Sequence, residues 1–167
     1  MESLLQHHTL LTWLGPTLAT SFASIIAVIA ILASRDTARK KNSIDTILHA
    51  KNDHKLRQAI ESTGKIHRDS EKTIEKYAYD AHKFEKEAQG IRYVLNFYEY
   101  LSVGIIHKVY DEQVLKESMY STIVRTFERC QPYINQIRQQ TGSNTAYTNF
   151  ESLALKWREK PISKIKA

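Results

Sequence analysis

The chain is poor in cysteine, glycine and proline. Of its 167 residues one is cysteine, Cys130, which excludes an intrachain disulfide and any multi-cysteine zinc site. A lone thiol fits a reducing compartment. A packed small hydrophobe is the preferred reading of it, since a nucleophile needs a neighbouring His and an activated thiolate. Five Gly and three Pro leave few turns, and no strand-like alternation persists. There is no His-Glu-x-x-His sequence, no phosphate-binding glycine loop and no nucleophile-elbow serine, so a non-enzymatic protein without cofactor or metal is expected. Charge supplies the sharpest absence. From Ser3 to Ser34 there is no Asp, Glu, Lys or Arg, and then Arg35, Arg39, Lys40 and Lys41 arrive together.

A bilayer-crossing helix needs about 20 mostly apolar residues, and residues 10–34 supply them. A secretory signal is disfavoured: no Lys or Arg precedes the run, and the run exceeds the usual signal core of about 7–15 residues. A buried core helix is disfavoured too. Ile25 to Ala33 has no polar face, and burying it on all sides would take a larger protein than the remainder provides. Cytoplasmic flanks collect Lys and Arg. The expected layout is therefore a short outer tail at 1–9, a span at 10–34, an inner helical domain at 35–160 and a basic disordered tail at 161–167. Trp13 would mark the outer interface, and Pro16 would start or kink a helix there. His7 and His8 could sense pH or bind metal; two exposed histidines on a tail is the plainer reading. Gly15, Ala19, Ala23 and Ala27 recur every fourth residue, a small-residue stripe of the kind that lets membrane helices pack.

The chain holds 24 Lys and Arg against 18 Asp and Glu, and only Glu2 precedes the uncharged run. Arg35, Arg39, Lys40 and Lys41 are placed to attract anionic lipid, by about 1 kcal/mol each. Lys156, Arg158, Lys160, Lys164 and Lys166 could do the same or touch nucleic acid, though a solvated basic tail is preferred. Nucleic acid is an unlikely partner on this reading, because most of the tyrosines fall on packing faces.

The remainder reads as all-α. Ile44, Ile47, Leu48, Leu56, Ala59 and Ile60 predict a stalk continuing from the span to about Thr63, ended by Gly64. On the stalk His49 and Asp53 share a face, a weak metal pair. Ile74, Tyr77, Ala78, Ala81, Ala88, Ile91, Leu95, Tyr98, Ser102 and Ile105 predict one helix from about Ser70 to His107, about 55 Å long, forming an antiparallel hairpin with the stalk. Asp111 predicts an N-cap, with Glu112 in the first turn. The helix it starts carries Val114, Leu115, Met119, Ile123, Phe127 and Cys130. Pro132 either kinks or restarts it, and it ends near Gln140. A turn at Thr141-Gly142-Ser143-Asn144 leads to a last helix facing Tyr147, Phe150, Leu153, Ala154 and Trp157 inward, stopped by Pro161. The sum is an antiparallel bundle of about four helices.

Residues 91–106 carry two apolar faces. Tyr93, Phe97, Tyr100 and Gly104 form the second, a candidate face for a further copy or a protein partner. Between the faces run Arg92, Asn96, Glu99 and Val103. If the helix is enclosed, Arg92, Asn96 and Glu99 need partners, and Arg125 or Arg129 is expected to pair with Glu99 as a structural ion pair; a polar ligand site is the alternative.

The run Val94 to Ile105, with Asp111-Glu112, Val124-Arg125 and Pro132-Tyr133-Ile134, resembles a domain-of-unknown-function family of small bacterial and phage-borne proteins. The similarity covers about residues 10–140. It implies one N-terminal membrane helix and a helical cytoplasmic domain, hence the bacterial inner membrane with the N-terminus outside. It implies no enzymatic activity, and it marks Asn96, Glu99, Gly104, Asp111 and Arg125 for test. Mobile-element relatives suggest phage defence or superinfection exclusion. The expected function is thus a self-associating, membrane-tethered interaction or regulatory protein, with a toxin-like membrane effector or a membrane-proximal nucleic-acid-binding domain as alternatives.

Overall fold

The structure, a computed structural model, describes residues 2–69 and 73–162, with side chains from Ala19 onward. The proposed roles of His7, His8, Trp13 and Gly15 therefore rest on side chains outside the described residues, as do Lys164 and Lys166 altogether. Every regular element among the described residues is helical: α1 (Glu2–Asn52), α2 (His54–Arg68), 3-10 turns at Ile74–Ala78 and Asp80–His82, α3 (Lys86–Ile106), α4 (Glu112–Thr141) and α5 (Thr148–Glu159). The chain divides into two compact units, residues 1–38 and 39–167.

In the first unit α1 passes through Pro16 without a break. Phe22, Ile25, Ile26, Val28, Ile29, Ile31 and Leu32 are all more than half exposed. The hydroxyls here turn inward on their own helix: Ser24 Oγ donates to the Thr20 carbonyl at 2.9 Å, and Thr37 Oγ1 to that of Ala33 at 3.0 Å. Such bonds satisfy a polar group where no outside partner exists. The helix is long and apolar enough to cross a membrane, and none of its apolar window is buried.

The second unit is built around α3 and α4. The final turns of α1, and then α2, run antiparallel to α3. Ala59 lies against Gly90, Asp53 against Tyr93, Asn42 against Val109 and Ser43 against Asp111. The 3-10 turns pack Ile74, Tyr77 and Ala78 on α4, and α5 lies across both α3 and α4. Leu95, Tyr98, Leu115, Ile123, Phe127, Phe150 and Trp157 are buried together. Tyr98 stacks on Phe150 at 5.2 Å, and Phe127 meets that ring edge-on at 5.7 Å.

Three boundaries depart from the sequence reading. The stalk is not continuous to Thr63, because Asp53 takes an extended backbone and caps a new helix, accepting from Leu56 N at 3.0 Å. Gly64 does not end that helix. It is buried inside α2, where the guanidinium of Arg129 leaves little room for a side chain. The predicted helix from Ser70 to His107 starts only at Lys86, and two 3-10 turns precede it. A 3-10 turn brings residues three apart into line as an α-helix nearly does, so Ile74 and Tyr77 fit either form. The ends of α4 agree with the reading, but Pro132 does not restart the helix. Asp111 caps α4, accepting from Val114 N at 3.0 Å. The helix carries Pro132 unbroken, and Gly142 ends it at φ +64°.

Candidate functional site

Three places in the second unit are candidates. The first is the start of α5. Its N-cap residue, Tyr147, sits in the left-handed region at φ +59° and gives no side-chain cap. The first-turn amides are served from α3 instead. Glu99 accepts from Phe150 N at 2.8 Å, Asn149 N at 3.4 Å and Asn149 Nδ2 at 2.7 Å. A carboxylate on a helix's free amides combines hydrogen bonding with the favourable end of the dipole. Arg138 completes the join, donating twice to the Ala146 carbonyl and once, at 2.8 Å, to Glu151. Burial pushes the Tyr147 phenol up to about 12.

The expected cluster of Arg92, Asn96, Glu99 and Arg125 is therefore not assembled. Glu99 spends its oxygens on α5, Asn96 and Arg125 are exposed, and half-buried Arg92 donates to the Lys83 carbonyl at 2.6 Å. The reason is the extent of the cover on α3. It buries Ile91, Val94, Leu95, Tyr98, Leu101 and Ser102 while the opposite side stays open. The expected second face is likewise divided. Tyr93 is exposed and donates to Asp53 at 2.6 Å. Phe97 packs half-buried against the core, and Tyr100 is 74% exposed. Gly104 is covered by the ring of Tyr110, which occupies the place a Cβ would take.

The second place is a cavity of about 380 Å³ where α1, α3, α4 and α5 meet. Arg39, Lys108, Tyr110, Glu112, Ser152 and Lys156 are among its lining. Glu112 accepts from Lys156 at 2.7 Å and from the Trp157 indole at 3.0 Å. Burial pushes the Glu112 carboxyl up. Its bonds to Lys156 and Trp157, with the charges of Lys156 and Lys116, outweigh that and hold it below its ordinary value. Arg39 Nε is buried without a hydrogen-bond partner. Lys108 follows the C-cap of α3 at φ +57°. Sequence reading grouped Arg39 with Arg35, Lys40 and Lys41. Of these only Arg39 is half-buried; the other three are exposed, and Lys41 pairs with Asp45 at 3.1 Å. Lys108 has no signal in Ile-His-Lys-Val-Tyr, because its place in the same lining as Arg39 depends on the turn after α3. Lys156 and Arg158 lie on α5, inside the folded domain.

The third place is a smaller, mainly apolar cavity of about 280 Å³ between α1, α2 and α4, with Ile47, Leu56, Tyr98 and Met119 in its wall. Tyr98 Oη and Thr126 Oγ1 are neighbours, both fully buried; burial pushes the phenol well above its ordinary value. Cys130 is fully enclosed, and burial pushes its thiol up to about 12, which makes it inert as a nucleophile near neutral pH. Among the described residues no group of three or more His, Cys, Asp or Glu could hold a metal ion. Asp53 uses its oxygens on Leu56 and Tyr93.

Fold and surface define a class, an all-α domain carried on a helix long and apolar enough to span a membrane. The chain belongs to the DUF4760 family, a domain of unknown function, which matches residues 17–157 and so takes in both the apolar helix and the helical domain. No curated protein and no solved structure matches it.

Proposed function

We propose that this chain is a single-pass membrane protein whose helical domain works on the cytoplasmic side as a non-enzymatic interaction module, self-associating in the bacterial inner membrane. One observation carries the reading. A fully exposed, uncharged helical run is followed at once by Arg35, Arg39, Lys40 and Lys41. Seven large apolar side chains in open water would be costly at about 25 cal/mol per Å², and in lipid that cost vanishes. The basic flank orients the span by the positive-inside tendency. Tyr100 and the small residues Ala19, Ala23 and Ala27, all exposed, are surfaces that further copies would cover.

Buried Cys130 makes topology mapping clean, because an impermeant maleimide will not reach it. His8→Cys should label in intact cells and Lys160→Cys only after permeabilisation. The reverse pattern would invert the orientation, and recovery of the protein in the carbonate-soluble fraction would end the membrane reading. Crosslinking in membranes tests self-association: wild type should give dimers or larger species that Phe97→Asp or Tyr100→Asp reduces. Monomers throughout would remove that part.

A further inference from the structure

The cavity between α1, α3, α4 and α5 has the chemistry of an anion site that its own domain leaves unfilled. Three cations, Arg39, Lys108 and Lys156, face one carboxylate, Glu112. Lys156 and the Trp157 indole already occupy that carboxylate. Arg39 and Lys108 are left without an ion pair among the described residues. The Arg39 Nε is more telling than the charge count. A guanidinium N–H withdrawn from water and left unpaired is unfavourable, yet here it stays withdrawn. Guanidinium is also the side-chain group best matched to phosphoryl oxygens, which it binds through parallel N–H donors.

The fold brings Arg39 and Lys108 from distant parts of the chain to the lining of one cavity. Ser43 Oγ donates to the Asp111 carbonyl at 3.3 Å and accepts from Asp111 N at 2.8 Å, while Asn42 donates to the Val109 carbonyl at 3.4 Å. These bonds pin the α3–α4 turn beside the helical turn that carries Arg39. The turn itself is fixed by Val109 N and Tyr110 N, both bonded to the Gly104 carbonyl at 2.9 and 3.3 Å. Tyr110 lies on Gly104 and walls the cavity. Ser152, exposed on α5, adds a hydroxyl to the lining. At about 380 Å³ the space falls within the range of small-ligand pockets, about 300–1,000 Å³.

We propose that this cavity binds a phosphoryl group, with Arg39 and Lys108 as its principal ligands and Lys156 as the charge that keeps Glu112 from opposing it. Two sources share that chemistry, a lipid phosphate and a soluble phosphate. Arg39 follows Ser34, the last residue of the uncharged run, by five positions. No chain conformation carries it more than about 18 Å from there, so the headgroup layer of a bilayer is within reach. The lipid source rests on the membrane reading above; the site itself does not.

The full chain in detergent, labelled with ¹⁵N, provides the assay. Its two tryptophans are Trp13 and Trp157, and the indole of Trp157 bonds to the carboxylate in the cavity wall. Inorganic phosphate, titrated at constant ionic strength against chloride, should move the Trp157 indole resonance saturably. Arg39→Gln and Lys108→Gly should each weaken the response at least fivefold, with Lys55→Gln, an equal charge change at an exposed position of α2, leaving it unchanged. Lys108→Gly also relieves a left-handed backbone, so its loss of response cannot be laid to unfolding. Nanodiscs of phosphatidylcholine with and without phosphatidic acid separate the sources. A response confined to phosphatidic acid assigns the site to lipid; equal response in both, with saturation by free phosphate, assigns it to a soluble group. Failure of both free phosphate and phosphatidic acid to shift the resonance, or an equal shift in Lys108→Gly and wild type, overturns the proposal. Membrane extraction of the same samples is read separately, so loss of the anchor and loss of the site are distinguishable.

Discussion

Residues 19–34 and α3 are both strongly apolar helical stretches, yet they dispose of that apolarity in opposite ways. In the first, large side chains point out on every side. In α3 they are sorted: Ile91, Val94, Leu95, Tyr98 and Leu101 go inward, and polar groups such as Asn96 stay outside. One stretch leaves its apolar surface open, and the other buries it against its neighbours. The lesson is that total hydrophobicity identifies neither; the presence or absence of a polar side does.

The widest test of that contrast is a pair of equal truncations. Leu95→Ala empties a fully buried position and should cost about 3–4 kcal/mol, read as a large fall in the thermal midpoint of the full chain in detergent. Ile29→Ala, 61% exposed in its own unit, should leave that midpoint unmoved. If both lowered it alike, the two stretches would not differ in kind. Next in size is Glu99→Ala, which strips the tertiary cap from α5. About 2 kcal/mol is expected for a charged acceptor on two amides, with loss of protection concentrated at Asn149 and Phe150 in hydrogen exchange. Glu99→Gln should recover part of it. Uniform loss of protection across the domain would show that the carboxylate holds more than α5.

The smallest effect concerns Asp53. Its hydrogen bond from Tyr93, then that from Leu56 N, holds the carboxyl below its ordinary value. A carboxyl depressed in the folded state adds stability that is present above the unfolded value, about 3.9, and lost as pH falls through the folded one. Tyr93→Phe removes the largest cause, so the Asp53 carboxyl should titrate at higher pH and the loss on acidification should shrink. The pair is exposed, so stability near neutrality should fall by only about 0.5 kcal/mol or less. An unchanged Asp53 titration in carbon-detected NMR would mean the bond is absent in solution.

Much of this could be read from residues in order. Asp111 and Gly142 carry helix-end chemistry in their own side chain or backbone, and both ends of α4 lie close to where they were expected. The burial of Phe150, Leu153, Ala154 and Trp157 follows from their spacing. The departures have a common physical root: the deciding partner is remote in sequence. Asp53 breaks the stalk inside an otherwise periodic run, and its second bond comes from Tyr93, forty residues on. Gly64 resembles a helix terminator until Arg129 is placed beside it. Glu99 looked like half of an ion pair with Arg125 or Arg129. An acidic side chain gives no local sign that it will serve backbone amides fifty residues later. The basic cavity was half visible, through Arg39, and its other half depends on the turn that brings Lys108 across.

The carboxylate at the start of α5 also sets a schedule. Twelve residues make too short a helix to persist alone in water, and this one carries no cap of its own. It can form only after α3 exists to receive it. During synthesis α3 emerges first, its carboxylate waiting, and the domain stays unfinished until the segment containing Asn149 and Phe150 has left the ribosome. By then the uncharged run, long and apolar enough to cross a membrane, has long since emerged. Emergence of the apolar run and closure of the domain are thus separated in time, and the interval is the time taken to translate from residue 34 to α5.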